Sequence, residues 1–339
     1  MPDFQFLTFL VIGLAILFEI SNGWNDSANA IATVVSTRVL TPLQAVLLAS
    51  GMNMLGAMMS TAVAKTIGKG IVPPEVISEA VVASALIAGF AWNGLMTRLG
   101  LPVSASHALI GSLMGAAVAF GGINGYSNWG LDILNYKGLT KIFIALLTSP
   151  IFGIIFGYYG MRSILKLFGR LSPRTINRHF GRLQILSSSF MAFSHGSNDA
   201  QKVMGIITLS LVSGGFLTTL DVPFWVIMVC ASAMGLGTAL GGWRVIKTLG
   251  VHMLKLEPVH GFAAETAATA VILGASSLGM PVSTTHVIST SIMGVGATRR
   301  LSAVRWGIAG KILMAWILTL PACFGVAWIT CSLFLLISP

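Results

Sequence analysis

The sequence predicts an all-α polytopic membrane protein with two inverted-topology repeats and broken helices. Three observations predict this fold class. Hydrophobic residues make up 55% of the 339 residues and charged residues only 9%, and the mean hydropathy is +0.86. Two polar motifs each occur twice, about half a chain length apart, and the basic residues are unevenly distributed. Because a soluble domain carries about 25% charged residues, the composition excludes an ordinary soluble protein.

Apolar stretches long enough to cross about 30 Å of hydrocarbon recur along the whole chain. We count about ten, and some of them could be hairpins that enter and leave on one side of the membrane. They are residues 4–20 continuing to 37, 42–64, 76–97, 101–121, 139–168, 183–213, 222–243, 259–279, 280–298 and 306–337. No cleavable signal peptide is predicted, since the first stretch lacks a basic leader and runs into Glu19.

The basic residues predict the orientation. Six of them lie in and around the polar segment 162–182 without an acid between them, so we place this segment in the cytoplasm. They are Arg162, Lys166, Arg170, Arg174, Arg178 and Arg182. Five crossings per half then put most other basic residues inside; Lys65 and Lys69 fall outside, and the role of Lys65 stays open. An odd number of crossings inserts the two halves in opposite senses, as in many secondary transporters.

The repeat divides the chain into three predicted parts. Residues 1–168 form a first transmembrane repeat, 169–182 a basic cytoplasmic linker and 183–339 a second, inverted repeat. The net charge of +10 could indicate a nucleic-acid partner, but its concentration in one topogenic loop argues for no nucleic acid. RNA, an anionic lipid or a cytoplasmic regulator at 162–182 are the alternatives.

The first repeated motif places a carboxylate beside amides within apolar sequence. Residues 24–29 read WNDSAN and residues 197–202 read SNDAQK. Side chains that compete for backbone hydrogen bonds predict a break in each helix here. Unwound carbonyls with carboxylate and amide oxygens suit a hard cation such as Na⁺, which we place at Asp26 and Asp199. The alternative is a helix cap, but the recurrence of the motif favours a site.

The second repeated motif follows a proline with hydroxyl groups. Residues 102–107 read PVSASH and residues 281–286 read PVSTTH. Proline favours the first turn of a helix, and a helix N-terminus with hydroxyl groups is suited to an anion. Two such ends would surround a tetrahedral oxyanion with neutral donors; a capped helix with nothing bound is the alternative. Whether His107 and His286 have a functional role or bind a backbone carbonyl stays open.

Glu265 lies inside a predicted span. A lone carboxylate in the membrane costs several kcal/mol, so we expect it to be a coupling-cation ligand or a proton carrier. It could instead be neutral, or paired with Lys202 or Lys247. Glu19 is a similar residue nearer the first motif.

At these residues the sequence resembles the inorganic phosphate transporter (PiT) family, in its bacterial form. Both copies of both motifs carry the resemblance, together with residues 242–248 (GWRVIKT) and 261–266 (GFAAET), and it covers essentially the whole chain. Ala105 stands where the second copy has Thr284, so the two copies offer unequal numbers of hydroxyl hydrogen-bond donors. Ala64 and Lys65 lie in a region where some relatives carry an acid, which leaves the coupling stoichiometry open.

The resemblance implies two re-entrant helical hairpins with phosphate bound between them. The implied phosphate-binding residues are Ser104, Ser106, Ser283, Thr284 and Thr285. The implied coupling-cation residues are Asn25, Asp26, Asn29, Asn198, Asp199 and Glu265.

The expected function is symport of inorganic phosphate into the cell, coupled to Na⁺ or H⁺, by alternating access in a multi-pass protein of the cell membrane. We expect no other cofactor, and a homo-oligomer is left open. A sulfate symporter of the same family is one alternative. An anion channel is another, although carboxylates would repel passing anions. An enzyme is not expected, because no nucleophile–base pair or metal set is evident.

Overall fold

The computed structural model describes residues 2–73 and 77–337, and over this part of the chain it is helical. The first residue of the predicted stretch 76–97 lies outside the described residues. The α-helices are α1 (Pro2–Ser36), α2 (Pro42–Ala57), α3 (Ala62–Gly70), α4 (Glu79–Leu99), α5 (Ala105–Ile123), α6 (Tyr136–Phe168), α7 (Pro173–Ser213), α8 (Phe224–Leu240), α9 (Trp243–Lys247), α10 (Pro258–Ser277), α11 (Thr284–Ala297) and α12 (Trp306–Ile337). A π-helical turn, Thr248–His252, continues α9.

The order and packing of the helices repeat between the two halves. The series α1, a bent pair α2–α3, α4, α5 and α6 recurs as α7, a bent pair α8–α9, α10, α11 and α12. The bends are similar, 70° in the first pair and 64° in the second. Helix α5 packs on α12 as α11 packs on α6, and α2 packs on α7 as α8 packs on α1. This supports a duplicated unit; the opposite insertion of its copies and the boundaries at 168 and 182 stay predictions.

The membrane-spanning capacity of the helices agrees with a polytopic chain. Among the described helices, five are long and apolar enough to cross a bilayer, and up to seven if each bent pair counts as one span. Helix α7 is not one of the five, because the polar residues 194–202 interrupt its apolar sequence. The predicted all-α polytopic class is confirmed.

Two helical hairpins are present, α4–α5 and α10–α11. Gly100 ends α4 with φ of 72°, and Gly279 follows α10 with φ of 66°, a left-handed conformation that favours glycine. The chain then runs through Pro102 or Pro281 into the next helix. Each tip therefore carries one copy of the second motif at a helix N-terminus.

The predicted breaks at the first motif are wrong, because α1 and α7 continue through residues 22–29 and 194–202. The hydroxyl of Ser27 donates to Trp24 O at 2.9 Å and that of Ser194 to Met191 O at 2.9 Å, so these side chains bond to their own helix. The polar side chains are compatible with a continuous helix because the helices beside it supply partners for several of their amide groups, as described below.

The motif glycines serve close packing between helices instead. A Cβ at Gly23 of α1 would lie 2.6 Å from Met234 O of α8, and a Cβ at Gly196 of α7 would overlap Asn53 O of α2. Small residues let membrane helices approach closely. The glycines therefore fix the contact of α1 with α8 and of α7 with α2.

Candidate functional site

The tips of the two hairpins touch each other inside the protein. The Ser106 hydroxyl donates to Val282 O at 2.9 Å, and Thr285 Oγ1 lies 3.0 Å from Val103 O. Each tip thus places a side-chain oxygen against a main-chain carbonyl of the other. The structure thereby brings the predicted phosphate-binding residues of both halves into one buried region.

Each tip ends in a helix N-terminus capped by serine. Ser104 Oγ accepts from the His107 N–H at 3.1 Å, and Ser283 Oγ accepts from the His286 N–H at 3.2 Å. Within the described chain, neither serine hydroxyl hydrogen has an acceptor, and neither do the N–H groups of the first two residues of each helix. Unused hydroxyl and main-chain donors at paired helix N-termini suit an anion.

The aspartates of the first motif face these tips. Thr284 Oγ1 donates to Asp199 Oδ2 at 2.9 Å, and Thr285 Oγ1 lies 3.1 Å from Asp26 Oδ1. Asn29 Nδ2 donates to Thr285 Oγ1 at 2.9 Å. These buried contacts join predicted phosphate ligands directly to predicted cation ligands, so an ion at one set is within electrostatic reach of the other.

His195 lies between the two aspartates, a position that the sequence-based site prediction did not include. Its Nε2 is 3.2 Å from Asp199 Oδ2 and 3.6 Å from Asp26 Oδ2, and its Nδ1 is 2.9 Å from Asn53 Oδ1. Thr238 Oγ1 accepts from Asn53 Nδ2 at 2.9 Å, which turns the amide oxygen toward the ring. Among the described residues, Asp26, His195 and Asp199 are the one set of His, Cys, Asp and Glu side chains close enough to hold a metal ion.

Lys202 is the second residue that the site prediction missed. Its Nζ donates to Ser106 Oγ at 2.6 Å and to Val282 O at 2.8 Å, and it forms an ion pair with Asp199. The side chain is buried. Aligning the two ND motifs would have drawn attention to it, because Lys202 stands where the first copy has Asn29.

The two motif asparagines before the aspartates bind the hairpins. Asn25 Nδ2 donates to Thr97 Oγ1 of the first hairpin at 2.7 Å, and Asn198 Nδ2 donates to Ser276 Oγ of the second at 2.8 Å. The buried Oδ1 atoms of Asn25 and Asn29 have no donor among the described residues. These oxygens are therefore available to a cation, whereas Asn198 Oδ1 accepts from a main-chain N–H of the second tip.

Glu265 lies in a separate buried cluster between α10, α1 and α7. It accepts hydrogen bonds from Thr33 Oγ1 at 2.5 Å, from Gln184 Nε2 at 3.1 Å and from the Ser187 hydroxyl. The alternative in which Glu265 pairs with Lys202 or Lys247 is wrong. The three side chains that donate to Glu265 are all neutral, and Lys202 binds Asp199 instead. The structure thus leaves a role in proton or cation binding open for this carboxylate and separates it from the tips.

Four further sequence candidates are placed by the structure. Glu19 is fully buried; its Oε2 accepts from Asn22 at 3.4 Å and its Oε1 has no donor among the described residues. Lys65 is exposed and pairs with Asp221 at 2.8 Å, which lowers the pKa of that carboxyl from its ordinary value.

The His107 and His286 rings lie 4.6 Å apart behind the tips. Neither Lys65 nor the two rings joins the aspartate cluster.

Residues 22–327 match the model of the "Phosphate transporter family". The chain belongs to this family. The resemblance seen in the sequence is therefore confirmed, and so are the predictions that the chain is a multi-pass membrane protein and not an enzyme.

Individual relatives support the same assignment. A "Probable low-affinity inorganic phosphate transporter" of Bacillus subtilis (strain 168) is 46% identical over 319 residues, which cover 93% of each chain. A protein of the same description from Rhizobium meliloti (strain 1021) is 43% identical over 314 residues, 92% of each chain. A solved structure, "The sodium-dependent phosphate transporter", has a TM-score of 0.88 at 26% identity and covers 98% of this chain and 99% of that one.

Proposed function

We propose that this protein is a cation-coupled symporter that carries inorganic phosphate into the cell by alternating access. The observation that carries the proposal is the meeting of two serine-capped helix N-termini beside two buried aspartates. The printed descriptions of the relatives, low-affinity inorganic phosphate transporters and a sodium-dependent phosphate transporter, support phosphate as the substrate.

Phosphate would bind between the tips. Ser104 and Ser283 supply hydroxyl donors, and the first turns of α5 and α11 supply main-chain N–H donors. Ser106, Thr284 and Thr285 donate to protein oxygens here and would have to turn toward the anion to contribute. Because Ser104 and Ser283 are neutral, an anion that they bind can also be released.

A cation beside Asp26 would compensate the charge of the anion. The carboxylate of Asp26 and the amide oxygens of Asn25 and Asn29, which have no donor among the described residues, are of the ligand types that fit Na⁺. Since each ion lowers the cost of burying the other, binding is coupled. The "sodium-dependent" description of the structural relative favours Na⁺ over H⁺. Glu265 is a further candidate cation or proton site, whereas Asp199 already forms an ion pair with Lys202.

Alternating access requires that the two repeats move around the touching tips. Helices α1 and α7 each contact a hairpin through a motif asparagine, so a rocking movement of the helices would move the tips. Inverted repeats with a site at their interface support this movement in other transporters. A homo-oligomer and a regulator at 162–182 remain predictions.

Phosphate is favoured over sulfate by the carboxylates within the donor cluster. Near neutral pH phosphate carries a proton that Asp26 or Asp199 can accept in a hydrogen bond, whereas sulfate carries none. A buried carboxylate facing an unprotonated oxyanion would be unfavourable. Sulfate is therefore expected to compete weakly.

The deciding experiment is uptake of radiolabelled phosphate into proteoliposomes, with Na⁺ and pH gradients imposed separately. We expect saturable uptake driven by one of the two gradients and only weak inhibition by a tenfold excess of sulfate. Such weak inhibition requires that sulfate binds more than tenfold, or about 1.4 kcal/mol, more weakly than phosphate. Non-saturable anion currents without a cation requirement would instead identify an anion channel. Equal inhibition by sulfate would contradict the selectivity.

A further inference from the structure

Lys202 has its ammonium group inside a set of three oxygen atoms. These are the Asp199 carboxylate, the Ser106 hydroxyl at 2.6 Å and Val282 O at 2.8 Å. The lysine is only 2% exposed. An ammonium group has three N–H donors, and each of them has an acceptor here. Lys202 therefore has no donor left for a bound anion and acts as the cation in an oxygen cage.

The oxygen types in this cage are those that bind a monovalent metal ion. Carboxylate, hydroxyl and main-chain carbonyl oxygens of membrane transporters coordinate Na⁺. The position of Lys202 Nζ, between Asp199 and the first hairpin tip, is thus one that a free cation would otherwise favour. We call Asp199, Lys202, Ser106 and Val282 the second half-site.

The first copy of the motif brings the corresponding oxygen atoms together without a lysine, and there Thr285 Oγ1 lies directly against Asp26 Oδ1, at 3.1 Å. Asp26 corresponds to Asp199, and Asn29 to Lys202. Thr285 Oγ1 and Val103 O, 3.0 Å apart, correspond to Ser106 Oγ and Val282 O, 2.9 Å apart. We call Asp26, Asn29, Thr285 and Val103 the first half-site.

The first half-site has no lysine beside its carboxylate, and it contains an amide oxygen without a donor among the described residues. Asn29 is neutral, its Nδ2 donates to Thr285, and its buried Oδ1 has no donor among the described residues. His195 contacts both aspartates and so is shared by the half-sites. The difference between the two cages therefore rests on Asn29 and Lys202.

We propose that Lys202 permanently occupies the second of two symmetry-related cation sites, so that only the first half-site exchanges a cation during transport. This inference rests on the proposed function, and it fixes one exchangeable cation where a pair of matched half-sites would hold two. The ammonium group supplies the positive charge beside the anion, and because it is covalently attached it contributes nothing to the coupling gradient.

The test gives the second half-site the residue of the first, by Lys202→Asn. Thermal unfolding of the purified protein is followed over a NaCl series, with choline chloride keeping ionic strength constant and no phosphate present. The dependence of stability on Na⁺ concentration counts the Na⁺ ions bound to the folded state. We expect K202N to bind about one more Na⁺ than the unmodified protein. An equal or smaller Na⁺ dependence would overturn the proposal.

A matched control removes an exposed lysine by the same substitution. Lys65→Asn breaks the surface pair with Asp221 and leaves both half-sites intact. Its Na⁺ dependence should equal that of the unmodified protein. A rise as large as that of K202N would show that the loss of any lysine produces the effect, and it would overturn the proposal.

The reverse substitution, Asn29→Lys, keeps the proposal testable if K202N is too unstable. A lysine in the first half-site should fill it, so that about one fewer Na⁺ binds. An unchanged Na⁺ dependence would again contradict the proposal. Because these titrations contain no phosphate, their failure is separate from failure of the proposed function, which would appear as absent phosphate uptake by the unmodified protein in proteoliposomes.

Discussion

The two half-sites share a contact between the hairpin tips and differ in charge. In each, a hydroxyl of one tip lies 2.9–3.0 Å from a carbonyl of the other. Asp26 contacts that hydroxyl directly, whereas Asp199 is connected to it through Lys202. The second half-site adds Lys202 where the first has Asn29. The comparison indicates that the two copies of the motif share a frame that positions both tips, while a single side chain changes the charge beside each aspartate.

The largest expected effect comes from the aspartates. Asp26→Asn and Asp199→Asn should each abolish coupled phosphate uptake, because each removes the carboxylate of a half-site. They should differ in stability, since Asp199→Asn leaves Lys202 buried without its counter-charge, which costs about 3–5 kcal/mol. Uptake in proteoliposomes and thermal unfolding measure the two effects.

The contrast between these variants is the informative result. Asp26 has no lysine partner, so Asp26→Asn should unfold close to the temperature of the unmodified protein. Equal stability of the two variants would show that Lys202 does not depend on Asp199. Cation-dependent uptake at the unmodified rate in both would remove the basis of the proposed function.

The next effect concerns the matched glycines. Gly23→Ala and Gly196→Ala both place a methyl group against the carbonyl of a neighbouring helix, with the closer overlap at Gly196. Each should lower the free energy of unfolding by about 1–3 kcal/mol, more for Gly196→Ala. Thermal unfolding tests the order. Gly13→Ala is the control, since a Cβ there would meet nothing within 4 Å. A similar loss of stability in that variant would mean that glycine acts by allowing the helix to bend, and not by allowing close packing.

The capping serines test whether both tips contribute equally to phosphate binding. Ser104→Ala and Ser283→Ala should each raise the KM for phosphate by about tenfold, because each removes a hydroxyl donor to a charged ligand. Glycine at an N-cap costs only a few tenths of a kcal/mol, so Ser104→Gly and Ser283→Gly separate the donor from the cap. A normal KM in the glycine variants would assign the effect to helix capping.

Much of this architecture could be predicted from the sequence. The recurrence of the PVS motif predicted two matched helix starts, and the structure brings them together. The helix breaks were predicted wrongly, since glycine and serine weaken an isolated helix and only the neighbouring backbone shows that Gly23 and Gly196 serve packing. The position of His195 in the site could not be predicted from the sequence, because its partners Asp26 and Asn53 come from two other helices.

The smallest expected effect lies at the turns of the hairpins, where the two halves make matching hydrogen bonds. Thr66 Oγ1 donates to Gly279 O at 2.7 Å, and Thr248 Oγ1 donates to Gly100 O at 2.7 Å, so each bent pair binds the turn of the hairpin in the other half of the chain. Thr66→Val and Thr248→Val should each cost about 1 kcal/mol of stability, the net value of one such hydrogen bond. Thermal unfolding should show nearly equal shifts, because no charge distinguishes these two contacts. A much larger loss of stability at one of them would mean that the two hairpin turns are stabilised to different degrees. Lys202 would then not be the main difference between the two halves.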